Sequence, residues 1–395
     1  MNRIAASYLY TLESAEPLRN GFVEYDDDGT VLRTGCCEDI ASEERFYDGA
    51  VVPGFVNAHC HIELSHLQGK FRKGTGMAGF IDQINEMRDS SGREDRIEAV
   101  RLWMERLWKQ GVSAMADISN CDDSFGVKVS SPLYTRTFLE VFGTEPEDCD
   151  SVIASVRELA EKAAEYGLDA APTPHSCYTM SPELLTAASA EGLKSGFLSY
   201  HSQESHEEEE MIMHGAGALW NNRRRAGMST PPVTGKPSLM YFIYRLEKAH
   251  AAPFAEHILL VHNVCLTQEA VDAALAVMKN AYWAICPLSN IFIHDALPPV
   301  ELMRKNGLKI TVGTDSLSSN DTLDMVKELH CLQTAFPEVP LGEMLVWVCR
   351  NGAEFLGKEG MLGTIAPGKR PGLVFVDGLD GDGRLSAGSS SVRIV

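Results

Sequence analysis

Short β-rich runs alternate with stretches of helical spacing along most of this chain, and that alternation restricts the fold more than any other feature. The runs fall at 51–59, 112–118, 134–142, 169–175, 197–201, 258–262, 282–286 and 310–315. Between them lie segments such as 151–166 (SVIASVRELAEKAAEY) and 268–278, whose apolar residues recur every three or four positions. Eight strands alternating with helices over about 300 residues predict an α/β fold, a (β/α)8 TIM barrel, and fit an open sheet less well. A doubly wound sheet would carry a Gly-rich phosphate turn after its first strand, and this chain has none. The two ends read differently, as short strands and turns, and neither could bury a core alone. They are expected to pair into a small composite β-sandwich domain, residues 1–50 with 361–395, beside a barrel spanning 51–360.

Composition narrows the function classes. With 35 Lys+Arg against 55 Asp+Glu the net charge is −20, which argues against a nucleic-acid partner, since counterion release needs a cationic face. No apolar run approaches the roughly 18 residues that span a bilayer, so no membrane association is expected. The N-terminal MNRIAASYLYTLES is too weakly apolar for a signal peptide, and the ten cysteines form no C-x-x-C pair. A cytoplasmic location with reduced thiols is the expectation.

Polar residues gather where a barrel would need them. His59 with His61, His175, His201, His262 and Asp315 each lie at the C-terminal end of an expected strand, and all such ends meet at one mouth. The period-2 pair His59 and His61 points both imidazoles the same way from an extended chain. Histidines with a carboxylate make a site suited to zinc or iron, whose open position holds a water of lowered pKa. Glu204, three residues past His201, is spaced to reach that water and shuttle protons. Neither H-E-x-x-H nor the P-C-x-x-C of cytidine deaminases is present. The remaining histidines (66, 206, 214, 250, 257, 294 and 330) fall in expected loops or helices and take no role. The acidic run 207–210 reads as a solvated helix start. The interval 206–256 reads as a long irregular connection, of a length that is usually functional, and is expected to supply a substrate lid centred on 228–236.

The segments PGFVNAHCHIELSHL, PHSCYTMSPELL, HSQES, LLVHNVCLT, CPLSN and VGTDSLSSNDTLDM resemble, in order and spacing, the amidohydrolase superfamily. Within it they are most similar to the cytosine-deaminase and chlorohydrolase-like branch, which includes deaminases of adenosine-like nucleosides, guanine and aminodeoxyfutalosine. The resemblance runs from the strand before His59 to the terminal GTIAPGK motif. It implies one divalent metal, zinc or else ferrous iron, on His59, His61, His201 and Asp315. It further implies Glu204 as proton shuttle, His262 as the group polarising water or substrate, and His175 as a substrate contact. No lysine ends the fourth strand, so a mononuclear site is implied. Gln203 stands where Ala is common, and Asn263 and Cys265 replace a more usual Cys and His; these changes bear on substrate choice. The expected function is hydrolytic deamination of a heteroaromatic ring in a small-molecule substrate, a purine or adenosine-like nucleoside, by water activated on the metal, with Asp315 taking the water proton. A chlorohydrolase or cyclic amidohydrolase using the same site is the alternative, and a non-catalytic metal-binding barrel is a more distant one. A homodimer is compatible with the resemblance.

Overall fold

The computed structural model describes residues 1–39, 43 and 45–395. The chain opens with β1 (Asn2–Leu9), β2 (Leu18–Tyr25), β3 (Val31–Cys36) and β4 (Phe46–Pro53). β1 to β3 form an antiparallel meander, and β4 returns parallel to β1. Near the C-terminus β13 (Leu373–Asp377) pairs antiparallel with β4, and β14 (Ser390–Arg393) with β13. Both chain ends therefore share one mixed six-stranded sheet in the order β14-β13-β4-β1-β2-β3. Ile4, Val23, Val51, Ile365 and Leu373 form its apolar core, which neither end could bury unaided.

The first expected run divides in two. β4 ends at Pro53, and the first barrel strand, β5, is Phe55–Cys60, so residues 51–53 belong to the small sheet and not to the barrel. Gly54 separates the strands at a point of close approach. A Cβ there would lie 1.9 Å from Ser113 Oγ and 2.6 Å from the Pro371 carbonyl, so only glycine fits.

The barrel continues with β6 (Val112–Ser119), β7 (Tyr134–Val141), β8 (Asp169–Pro174), β9 (Phe197–Ser202), β10 (Phe254–His262), β11 (Met278–Ile285) and β12 (Lys309–Val312). Two four-stranded parallel sheets, β5 to β8 and β9 to β12, make up the wall. Two seams close them into a ring. The His201 amide donates to the His175 carbonyl at 2.9 Å, and the Thr314 and Asp315 amides both donate to the His59 carbonyl at 3.0 Å. At the second seam a Cβ on Gly313 would sit 2.7 Å from the His59 carbonyl oxygen, so this glycine lets the last strand reach the first. β6 is buried at every residue, as expected of parallel strands covered on both faces. Cys149–Glu165 is a barrel helix, burying Ile153, Val156 and Ala163.

Several expectations shift in detail. β10 and β11 begin four residues earlier than their apolar runs, because Phe254 already pairs with Met278 and His257 with Asn280. His257 lies within β10, not in a loop or helix, with Nδ1 2.7 Å from the Phe355 carbonyl. The interval 206–256 is far from irregular. It holds helices at His206–Glu209, Gly217–Arg225 and Ser238–Ala249, and the last is a barrel helix whose Phe242 stacks on Tyr200.

Candidate metal centre and pocket

The strand ends bring His59, His61, His201, His262 and Asp315 to one point at the barrel mouth. The ring centroid of His59 lies 5.0 Å from His61, 4.8 Å from His201 and 5.6 Å from His262. Asp315 Oδ1 stands 3.5 Å from His61 Nε2 and 3.8 Å from His59 Nε2. One donor atom from each of His59, His61 and Asp315, or of His59, His201 and His262, falls within 4.8 Å of the others. Asp315, His262 and Gln203 have positive φ (58°, 74° and 48°), a region that costs non-glycine residues energy and recurs at functional sites.

The unmet polar atoms point to a cation. Both His59 ring nitrogens and His262 Nε2 are buried without a hydrogen-bond partner. Such atoms are costly unless something else satisfies them. Burial holds His59 and His201 well below the ordinary histidine range, and lowers His262 to about 4 and His175 to about 3. All four are thus neutral at physiological pH, the state a metal ligand requires. The Asp315 carboxyl is held well below the usual carboxylate range: burial opposes ionisation, while His61, His262 and His59, where they carry a proton, and the Ser289 hydroxyl favour it. The donor set of imidazoles and one carboxylate fits zinc or ferrous iron.

The groups around this centre are held from outside. Ser289 and Ser319 donate to Asp315 Oδ2 at 2.6 and 2.8 Å, leaving Oδ1 to face the histidines. Asn290 contacts His262 Nδ1 at 3.1 Å, leaving Nε2 towards the site, 3.5 Å from Glu204 Oε1. Tyr178 donates to Glu204 Oε2 at 2.6 Å. Burial raises the Glu204 carboxyl well above its usual range, Tyr178 opposes that, and Asp315 adds to it. His175 stacks on His201 with centroids 4.3 Å apart, while its Nδ1 contacts Ser176 and Thr179. Sequence reasoning missed Tyr178, Ser289 and Asn290, although all three lie inside quoted motifs; no spacing rule marks such supporting groups.

A cavity of about 200 Å³ opens onto the centre. His61, His175, His201, Glu204 and Asp315 form its floor, and Leu64, Met77, Phe80, Ile81 and Ile84 make an apolar wall. That wall comes from the segment after His61, chiefly the helix Gly76–Met87. No residue of 206–256 lines the cavity, so the expected lid is not where the sequence placed it. The segment braces instead. Arg223, buried, donates to the carbonyls of Tyr178 and Ser229, and Ser229 is tied to Glu145. Of the acidic run only Glu210 is exposed as a solvated helix start would be. Glu207 accepts from the amides of Met77 and Ala78 at the start of the wall helix. Buried Glu208 accepts from the amides of Gln203 and Glu204 and from Ser238. Carboxylates at helix and loop amides outcompete solvent here because those amides have no other partner.

A family model described as "Amidohydrolase family" matches residues 50–391. This chain belongs to the amidohydrolase family. It is 28% identical over 342 residues to a 5-methylthioadenosine/S-adenosylhomocysteine deaminase of Moorella thermoacetica, covering 84% of this chain and 74% of that one. It is 27% identical over 339 residues to an adenosine deaminase of Helicobacter pylori, covering 83% and 79%. The crystal structure of Helicobacter pylori aminofutalosine deaminase in complex with methylthio-coformycin shares the fold, with a TM-score of 0.81, 23% identity and full coverage of both chains. Among the described residues no helix is long and apolar enough to cross a membrane.

Proposed function

We propose that this chain is a metal-dependent hydrolytic deaminase of an adenosine-like nucleoside. The observation that carries the reading is the convergence of His59, His61, His201 and Asp315 at the barrel mouth, with the raised Glu204 carboxyl, where an apolar-walled cavity opens onto them. His59, His61, His201 and Asp315 would hold one divalent ion, zinc in preference to ferrous iron, which would supply a water of pKa lowered towards roughly 7 and stabilisation of developing charge.

The chain's own groups manage the protons. Asp315 Oδ1, the oxygen not engaged by serine hydroxyls, takes the proton of the attacking water. Glu204, kept protonated by burial, delivers its proton to the ring nitrogen beside the amine-bearing carbon. His262, held through Nδ1 by Asn290, presents Nε2 to the tetrahedral carbon's new oxygen. The carbon–oxygen bond forms, Asp315 passes its proton to the amine, the new hydroxyl returns a proton to Glu204 as the carbon–nitrogen bond breaks, and ammonia leaves. Leu64, Phe80, Ile81 and Ile84 exclude bulk water and offer flat apolar surface to a purine, and His175 contacts the substrate from the opposite side. Chloride displacement and cyclic-amide hydrolysis could use the same groups; the similarity to two adenosine-type deaminases favours amine removal. A cytoplasmic location accompanies the reading, and a homodimer is compatible with it.

Ammonia release from adenosine, 5-methylthioadenosine, S-adenosylhomocysteine, aminodeoxyfutalosine, adenine, guanine and cytosine tests the proposal. Turnover of at least one adenine nucleoside, ahead of the pyrimidine base, is expected. Chloride release from a chlorotriazine with no amine release from any nucleoside would replace it with the alternative.

A further inference from the structure

Glu140 is the one carboxylate on the cavity floor to which neither the family motifs nor the proposed chemistry gives a role. It is the penultimate residue of β7, within TFLEV, and its side chain is 3% exposed. Its Oε1 stands 3.4 Å from His201 Nδ1, and neither atom has a hydrogen-bond partner. Two further contacts fix the pair. Asn120 donates its amide to the Glu140 carbonyl at 2.8 Å, and is itself held by Arg88 at 2.7 Å and by Glu63 through its backbone at 3.0 Å. On the other side His175 stacks against the His201 ring. The ring is thus clamped on one face and faces a carboxylate at its edge.

We infer that Glu140 is a positioning residue that acts through His201, accepting its Nδ1 proton and thereby presenting Nε2 to the metal. A neutral imidazole carries one ring proton, and a carboxylate facing Nδ1 selects the tautomer with that proton on Nδ1. The Nε2 lone pair is then free for coordination, and a carboxylate hydrogen-bonded at Nδ1 raises its basicity. A small rotation of either side chain converts the 3.4 Å approach into a hydrogen bond. A competing service for these atoms is metal binding by His61, Glu140 and His201 together, whose donors also lie within 4.8 Å of one another. That arrangement would draw two histidines away from His59 and Asp315, so it competes with the first site and does not add to it.

This inference rests on the metal reading given above, and zinc binding separates the two. Zinc affinity is measured by competition with a chromophoric chelator for wild type, Glu140→Gln and Glu140→Asp, beside zinc stoichiometry and, at saturating zinc, kcat and KM. Loss of an outer carboxylate on a histidine ligand costs about 10–100-fold in metal affinity. Glu140→Gln is expected to show that loss, with KM at saturating zinc near wild type and Glu140→Asp intermediate. Should Glu140→Gln fail to fold, a weakened zinc affinity in Glu140→Asp carries the same conclusion. Unchanged zinc affinity with a raised KM would make Glu140 a substrate contact and overturn the inference. A second zinc per wild-type chain, lost on Glu140→Gln, would overturn it in favour of direct ligation. Wild-type protein that binds no zinc or iron would overturn the metal reading itself, and this inference with it.

Discussion

The Tyr178 hydroxyl donates to Glu204 Oε2 at 2.6 Å, which leaves Oε1 as the oxygen that faces His262 and the cavity. One tyrosine therefore sets which end of the carboxyl can work, and Arg223 fixes that tyrosine through its carbonyl. Glu204→Gln keeps an acceptor for Tyr178 but cannot pass a proton. Zinc content should stay at the wild-type level while kcat falls by about 10²–10⁴, the usual worth of a general acid or base. Tyr178→Phe should lower kcat less, because the carboxyl remains and only its orientation loosens. Metal analysis with steady-state kinetics checks both.

The cavity wall predicts where substrate affinity resides. Phe80 and Ile84 line the cavity from the helix Gly76–Met87 and carry no metal-binding or proton-transferring group. Phe80→Ala removes contact surface present in both ground and transition states, so KM should rise about 10–100-fold with kcat changed far less. Deleting 228–236, which the sequence suggested as a lid, should act on stability instead, through loss of the Ser229 ties to Glu145 and Arg223. A Michaelis–Menten comparison of the two variants tells a wall from a brace.

Glu328 gives a pH signature remote from substrate. It is fully buried on the helix Met325–Ala335 and accepts from the Leu288 amide and from Asn320. Burial raises its carboxyl to about 8 despite those donors. The folded value lies above the unfolded one, so its contribution to stability is complete below about pH 4.5 and is lost as pH rises through 8. Relative to Glu328→Gln, wild type should lose about 1.4 kcal/mol of stability per pH unit across that window. Urea unfolding of both proteins at pH 5, 6.5 and 8 measures it. A difference that does not change with pH would mean that Glu328 ionises normally.

Much of this architecture was legible because strand burial and strand ends leave direct marks. His59, His61, His201, His262 and Asp315 interrupt apolar runs at one end only, and parallel strands put those ends together. The supporting shell leaves no such mark. Ser289 and Asn290 look like helix-start polar residues, and their partners, Asp315 and His262, are 26 and 28 positions distant. Glu140 did obey the strand-end rule, but a single carboxylate in TFLEV reads as an edge residue until its neighbours are known. The interval 206–256 misled for the opposite reason. Its charges look solvent-seeking, yet Glu207, Glu208 and Arg223 spend them on backbone amides and carbonyls that only the tertiary fold leaves without partners. Its Pro-rich centre hid the helix Ser238–Ala249, the ordinary barrel helix after β9.

The central claim is that a single divalent ion on His59, His61, His201 and Asp315 drives amine removal, and titration of metal-stripped protein tests it most directly. Chelated protein is supplied with increasing zinc, and ammonia release from the best adenine nucleoside is followed at each step. The account predicts no release without metal, a linear rise, and a break at about one zinc per chain. Full ammonia release from protein shown by elemental analysis to be free of transition metal, or a break at two zinc ions, would contradict it.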